Sequence, residues 1–107
     1  MTDRSMLVLL SLADGPLHGY GIKKAVAERT NGKVNLGPGT LYEAVQRLER
    51  SKWIREVPPP KDQPASGGPP RRFYELTATG RRTLASELQQ MESILRYARG
   101  RRLLKGR

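Results

Sequence analysis

Apolar residues crowd the start of the chain. Met6, Leu7, Val8, Leu9, Leu10 and Leu12 fall on nearly every side of a helix drawn from about Asp3 to Ala13. A helix that is apolar all round is buried all round, so this one is expected to pack between other elements or between subunits. Asp14-Gly15-Pro16 stops it. A second helix is predicted from His18 or Gly19 to Thr30, with Ile22, Val26 and Ala25 turned inward and Asn31-Gly32 as the terminating turn. Lys33-Val34-Asn35-Leu36 alternates briefly, as a short strand would. Gly37, an acceptable N-cap, and Pro38, suited to a first helical turn, open a third helix. At about 100° per residue, Leu41, Ala44, Val45 and Leu48 share one face of it. Thr40, Glu43, Arg47 and Arg50 fall on the opposite face, and Tyr42 and Gln46 lie along a flank.

Trp53-Ile54-Arg55-Glu56-Val57 reads as a strand, as does Arg71-Arg72-Phe73-Tyr74-Glu75-Leu76, which runs into a helix start signal at Thr77 or Thr79. Between them lies a loop with six of the eight prolines, together with Lys61, Asp62, Gly67 and Gly68. Such a composition forms no packed core, so the strands are expected to make a hairpin with a long, exposed, mobile tip. The last segment, from Ala78 to about Tyr97, places Leu84, Leu88, Met91, Leu95 and Ala98 at helical spacing, with Ile94 widening the stripe. The predicted order is therefore helix, helix, short strand, helix, strand, long loop, strand, long helix. Three helices followed by a two-stranded wing make a winged helix-turn-helix, mainly α in content (α+β), with the third helix as its reader. The expected division is a DNA-binding winged helix over residues 1–77 and a C-terminal dimerisation helix with a basic tail over 78–107.

Size and composition narrow this further. A chain of 107 residues makes one domain with an appended helix, and so small a domain gains readily from a second copy of itself. The absence of cysteine removes disulfides, thiolate zinc sites and thiol nucleophiles together, and suits a reducing cytosol. No apolar run approaches the ~20 residues needed to cross a bilayer, so a cytoplasmic protein without a membrane partner is expected. Twenty Lys and Arg against ten Asp and Glu give a formal charge of +10. Six of those cations and no acid lie from Arg96 onward, which leaves 14 − 10 = +4 for residues 1–95. A mild excess of that kind points towards a polyanion without choosing between DNA, RNA and an acidic membrane surface.

Three blocks are more specific. Leu17-His18-Gly19-Tyr20-Gly21-Ile22, Gly37-Pro38-Gly39-Thr40-Leu41-Tyr42, and Arg71-Arg72-Phe73-Tyr74-Glu75-Leu76-Thr77-Ala78-Thr79-Gly80-Arg81 resemble, in residues and in spacing, the PadR family of transcription regulators. The resemblance covers roughly residues 5–85, and the single terminal helix fits the short-tailed branch. It implies a homodimer that sets two reading helices on a pseudopalindromic duplex operator, acts as a repressor, and answers in many relatives to small aromatic or drug-like molecules. It also implies a structural role for His18 at the start of the second helix and a phosphate contact for the Tyr42 hydroxyl. Two positions depart from the family pattern. Gly37 stands where Ser is common, at a cost of only a few tenths of a kcal/mol for an N-cap. Glu43 stands where Pro is common, and its carboxylate repels phosphate while remaining able to accept from cytosine N4.

The candidate DNA contacts are accordingly Tyr20, Gly39, Thr40, Tyr42, Glu43, Arg47 and Arg50, with Lys61, Arg71 and Arg72 from the wing. Their tips suit base edges and phosphates, and Thr40 sits beside the free N–H groups of a helix start. The candidate dimerisation residues are Met6, Leu9, Leu10, Leu84, Leu88, Met91 and Leu95. Gly19 is expected to let the chain turn closely. His18, the single histidine, has no acid, Cys or second His nearby in sequence, so neither a metal site nor a triad is expected. No nucleophile–base pair or phosphate-binding glycine loop is visible, so no enzyme, catalytic residue or cofactor is expected. The competing readings are a general basic, RNA-associated winged helix and a protein-interaction adaptor.

Overall fold

A computed structural model describes residues 4–61 and 71–104. The elements run α1 (Arg4–Ser11), β1 (Leu17–His18), α2 (Gly19–Arg29), α3 (Pro38–Arg50), β2 (Ile54–Val57), β3 (Phe73–Leu76) and α4 (Ala78–Gly100). The tip of the expected wing, including Asp62, Gly67 and Gly68, lies outside the described residues, as do 1–3 and the tail end at 105–107.

Helices α1, α2 and α3 close around one apolar centre. Val8, Leu12, Ile22, Val26, Leu36, Ala44, Val45 and Leu48 are buried there, joined by Ile54 and Tyr74 from the strands and Leu84 from α4. Helix α1 meets α2, α3 and α4, which explains a surface with almost no polar side. The α2–α3 turn is built by Thr30, whose hydroxyl donates to the Val26 carbonyl at 2.9 Å and accepts from the Val34 N–H at 3.0 Å. Asn31 and Gly32 take positive φ values of 54° and 79°, the left-handed backbone that Asn and Gly tolerate best.

The strands form an antiparallel sheet in the order β1-β3-β2, with Leu17 opposite Tyr74, His18 opposite Phe73 and Glu56 opposite Tyr74. The expected short strand at Lys33–Leu36 is corrected here: that segment is irregular, and the third strand is Leu17–His18, ahead of α2. Leu36 is drawn into the core by its side chain alone, whereas Leu17 and His18 find an open β3 edge for their backbone groups.

Helix α4 starts at Thr77, whose hydroxyl accepts from the Gly80 N–H at 3.0 Å and donates to the Lys52 carbonyl at 2.6 Å. The Thr77 N–H donates to the Trp53 carbonyl at 3.0 Å. Gly80 is pressed so closely on that carbonyl that an added Cβ would lie 1.9 Å from its oxygen. Only Gly80 and Leu84 of α4 are buried, and the remaining turns run outward along the 54 Å long axis of the molecule. Two expected dimerisation residues are reassigned by this packing. Leu9 (3 % exposed) and Leu84 (5 % exposed) lie in the core of a single chain and keep almost no side-chain area for a partner.

Replacing Gly80 by Ala forces backbone apart from backbone and is expected to destabilise the chain by about 3 kcal/mol. Thermal unfolding of G80A compared with A85G, an exposed site on the same helix, checks this. Equal losses would mean that the Trp53 contact has room to relax.

Candidate nucleic-acid interface

Helix α3 carries its own division of labour. Ala44, Val45 and Leu48 are buried and Leu41 is half-buried, so Gly39, Thr40, Glu43, Gln46, Arg47 and Arg50 are left exposed. The start of the helix is open. Gly37 has extended backbone (φ −71°, ψ 163°) and offers no capping side chain, and Pro38 occupies the first turn. The N–H groups of Gly39 and Thr40 therefore face outward with the positive end of the helix dipole.

One flank of α3 faces the sheet. Tyr20, Tyr42, Arg71, Arg72 and Tyr74 line a cleft of about 510 Å³ between the starts of α2 and α3 and the strand β3. His18 and Leu41 contribute to the same walls. Tyr20 and Tyr42 are 66 % and 55 % exposed. Tyr74 is buried, which pushes its hydroxyl up from the ordinary phenol range. Arg72, held chiefly by that hydroxyl and then by Glu56, is raised further above its usual value and stays charged. The other wing pair, Arg55 and Glu75, is matched across β2 and β3 with Nε–Oε2 at 2.7 Å.

His18 occupies the centre of this flank. Its Nδ1 accepts from the Gly21 N–H at 3.0 Å and caps α2, and its ring meets the Phe73 edge at 5.1 Å. The expectation of a structural role at the start of the second helix thus has a geometry. Burial first, and then the Arg71 charge, push its imidazole below the usual histidine range; its own backbone hydrogen bond offsets part of this. The neighbouring Gly19 has no positive φ, and a Cβ there would meet Leu41 at an ordinary 3.6 Å. A close turn is therefore not what requires glycine at that position.

The expected contact residues do not all gather. Tyr20, Tyr42, Arg71 and Arg72 are brought together, and Lys61 is exposed farther along the wing. Arg47 is on the far flank, where its Nη2 donates to the Ser5 hydroxyl of α1 at 3.0 Å. That contact ties it to the body of the domain, while its side chain stays exposed. Gln46, set on a flank by helical counting, is exposed on the outward side with Glu43 and Arg50. Its amide offers the paired donor and acceptor that match adenine.

The tertiary arrangement is a winged helix-turn-helix with an exposed third helix flanked by cationic and aromatic side chains. Residues 8–86 match the transcriptional regulator PadR-like family, and the chain belongs to it. That family is one of transcriptional regulators. A solved PadR family transcription regulator from Clostridium difficile is 26 % identical, with a TM-score of 0.72 over 90 % of this chain and 94 % of that one. Bacillus subtilis PadR, solved in complex with operator DNA, shares the fold at 20 % identity and a TM-score of 0.63, over 78 % of this chain and 45 % of that one. An uncharacterized 37.1 kDa protein in transposon TN4556 of Streptomyces fradiae is 43 % identical over 92 residues. This chain spans 24 % of that protein's length.

Because His18 is held neutral in the folded state, the unfolded chain takes up a proton more readily as pH falls below about 6.5. Stability is therefore intact above that value and is lost as pH falls through the lowered folded-state pKa. His18→Asn keeps a good N-cap and removes the titrating ring. Urea unfolding at about pH 7 and about pH 5.5 is expected to show a larger acid loss for the unmodified chain than for H18N. Equal losses would mean that other groups carry the acid sensitivity.

Proposed function

We propose that this chain is a cytoplasmic, sequence-specific DNA-binding repressor that works as a homodimer. Residues 1–77 hold the duplex, and residues 78–107 pair two copies on a pseudopalindromic operator. The observation that carries this reading is the joint placement of Tyr20, Tyr42, Arg71 and Arg72 beside the exposed, uncapped start of α3. In a major groove, Gln46, Glu43 and Arg50 would face base edges while Thr40, Tyr42 and the free N–H groups meet phosphates. Lys61 and the wing follow the backbone outward from there.

The pairing half of the proposal rests on α4. Leu88 and Leu95 are 37 % and 39 % exposed, and with half-buried Met91 they continue the stripe that begins at buried Leu84. Met6 and Leu10 of α1 are half-buried beside the same core. A second copy laid along this stripe covers both and sets two α3 helices about one helical turn of DNA apart. Kinship with the family supports reading the chain as a repressor released by a small aromatic or drug-like effector. Such an effector must bind the DNA-incompetent state more tightly than the competent one.

Fluorescence anisotropy with duplex DNA from upstream of its own gene, against a scrambled duplex of equal length, tests the reading. A preference of ~10³-fold or more is expected. Equal, weak and steeply salt-dependent binding to both duplexes, or a preference for single-stranded RNA, would overturn it. Gln46→Ala and Arg50→Ala are each expected to lower discrimination by about 1–3 kcal/mol, and Arg47→Ala by less because of its Ser5 anchor. The double variant Leu88→Lys, Leu95→Lys is expected to sediment as a monomer with unchanged helical signal. A persistent dimer would place the interface elsewhere.

A further inference from the structure

Two hydrogen-bond contacts meet on the His18 ring, and they are chemically incompatible as a pair. Nδ1 lies 3.0 Å from the Gly21 N–H, which can only donate. Nε2 lies 3.0 Å from Arg71 Nη1, which also can only donate. A neutral imidazole has one lone pair in the ring plane to give, and a protonated one has none. The cap on α2 takes that lone pair, because Nδ1 points back at the first turn of the helix whose N–H groups need acceptors. Nε2 therefore carries hydrogen and faces the Arg71 guanidinium, donor to donor. The resulting arrangement lacks an acceptor, and its geometry specifies where one would sit.

The surroundings state what kind of acceptor fits. Arg71 and Arg72 supply positive charge, Tyr20 and Tyr42 supply hydroxyls, and no carboxylate lines the cleft among the described residues. The cleft opens beside the start of α3, where Gly39 and Thr40 present their free N–H groups. Arg71 is exposed, so its guanidinium is free to swing onto an incoming anion.

On the reading of the chain as a duplex-DNA binder, we infer that His18 Nε2–H and Arg71 form a two-donor clamp on one phosphodiester oxygen of the DNA backbone. The imidazole acts as a neutral donor whose tautomer is set by the α2 cap, and Arg71 supplies the charge. The anion turns a donor–donor opposition into two hydrogen bonds to one oxygen. His18 is thus both a cap and a phosphate ligand, and it couples the orientation of α2 to occupancy of the wing base.

Because the chain has one histidine, its ring signals are free of overlap in nitrogen-detected NMR. The free protein is expected to show the Nε2–H tautomer; an Nδ1–H tautomer would overturn the assignment. In anisotropy titrations against salt, His18→Asn keeps the cap but is too short to reach the Nε2 position. It is expected to bind operator duplex about tenfold more weakly with an unchanged salt slope, since a neutral donor displaces no counterion. Arg71→Gln is expected to weaken binding and to reduce the slope by ~0.9, and the double variant to lose less than the two single losses combined. Full affinity in H18N, with unmodified protein binding the duplex, overturns the clamp and leaves the DNA-binding reading intact. No binding of any duplex by the unmodified protein overturns both. Saturation of the His18 signals by inorganic phosphate at constant ionic strength, without response to duplex, would give the site to a free anion instead and also overturn the clamp.

Discussion

The contact between the start of α4 and the turn after α3 joins the two halves of this molecule. Thr77 donates through its N–H to the Trp53 carbonyl and through its hydroxyl to the Lys52 carbonyl, while the same hydroxyl caps α4 through Gly80. Lys52 is able to present that carbonyl because it takes a positive φ of 62° at the end of α3. Gly80 then brings the α4 backbone against the Trp53 carbonyl at a distance that admits no side chain. Through these few atoms α3, β2 and α4 share one corner.

The second organising device is the short β1 strand. Two residues are a marginal strand on their own, yet they tie α2 to β3 and place His18 beside Phe73. The start of α2, the start of α3 and the base of the wing therefore converge on one cleft. Three segments far apart in sequence supply its aromatic and cationic lining. The charge of the chain is spread widely, with part of it in the terminal tail, but around this cleft Arg71 and Arg72 are local, and Glu56 pairs with Arg72 from outside its lining.

Helix existence and burial were legible from the residues because they depend on local periodicity. The all-apolar surface of α1, the Gly-Pro opening of α3 and the Thr77 signal ahead of α4 each correspond to an observed element. Lys33–Leu36 was expected to be a strand and Leu17–His18 was not, because a two-residue strand has no periodicity to detect and exists only where a partner edge is available. Arg47, exposed on α3, also reaches Ser5 on a neighbouring element, a contact that counting along a helix does not show. Gln46, five residues after Leu41, falls on the outward face by the same count at about 100° per residue, so its place was legible from the residues.

By itself the sequence determined which segments are helical, where they begin, which residues stay dry, and that the three motif blocks belong to one family of regulators. Those properties follow from interactions a few residues apart and from side-chain polarity. The tertiary structure alone decided that Leu9 and Leu84 serve the chain's own core while Leu88 and Leu95 are left uncovered. It also decided that Gly80 must be glycine, because the carbonyl it touches belongs to a residue 27 positions earlier. The pairing of His18 with Arg71 spans 53 positions. No periodicity encodes contacts of that kind, which exist only once packing has fixed the relative positions of helices and strands.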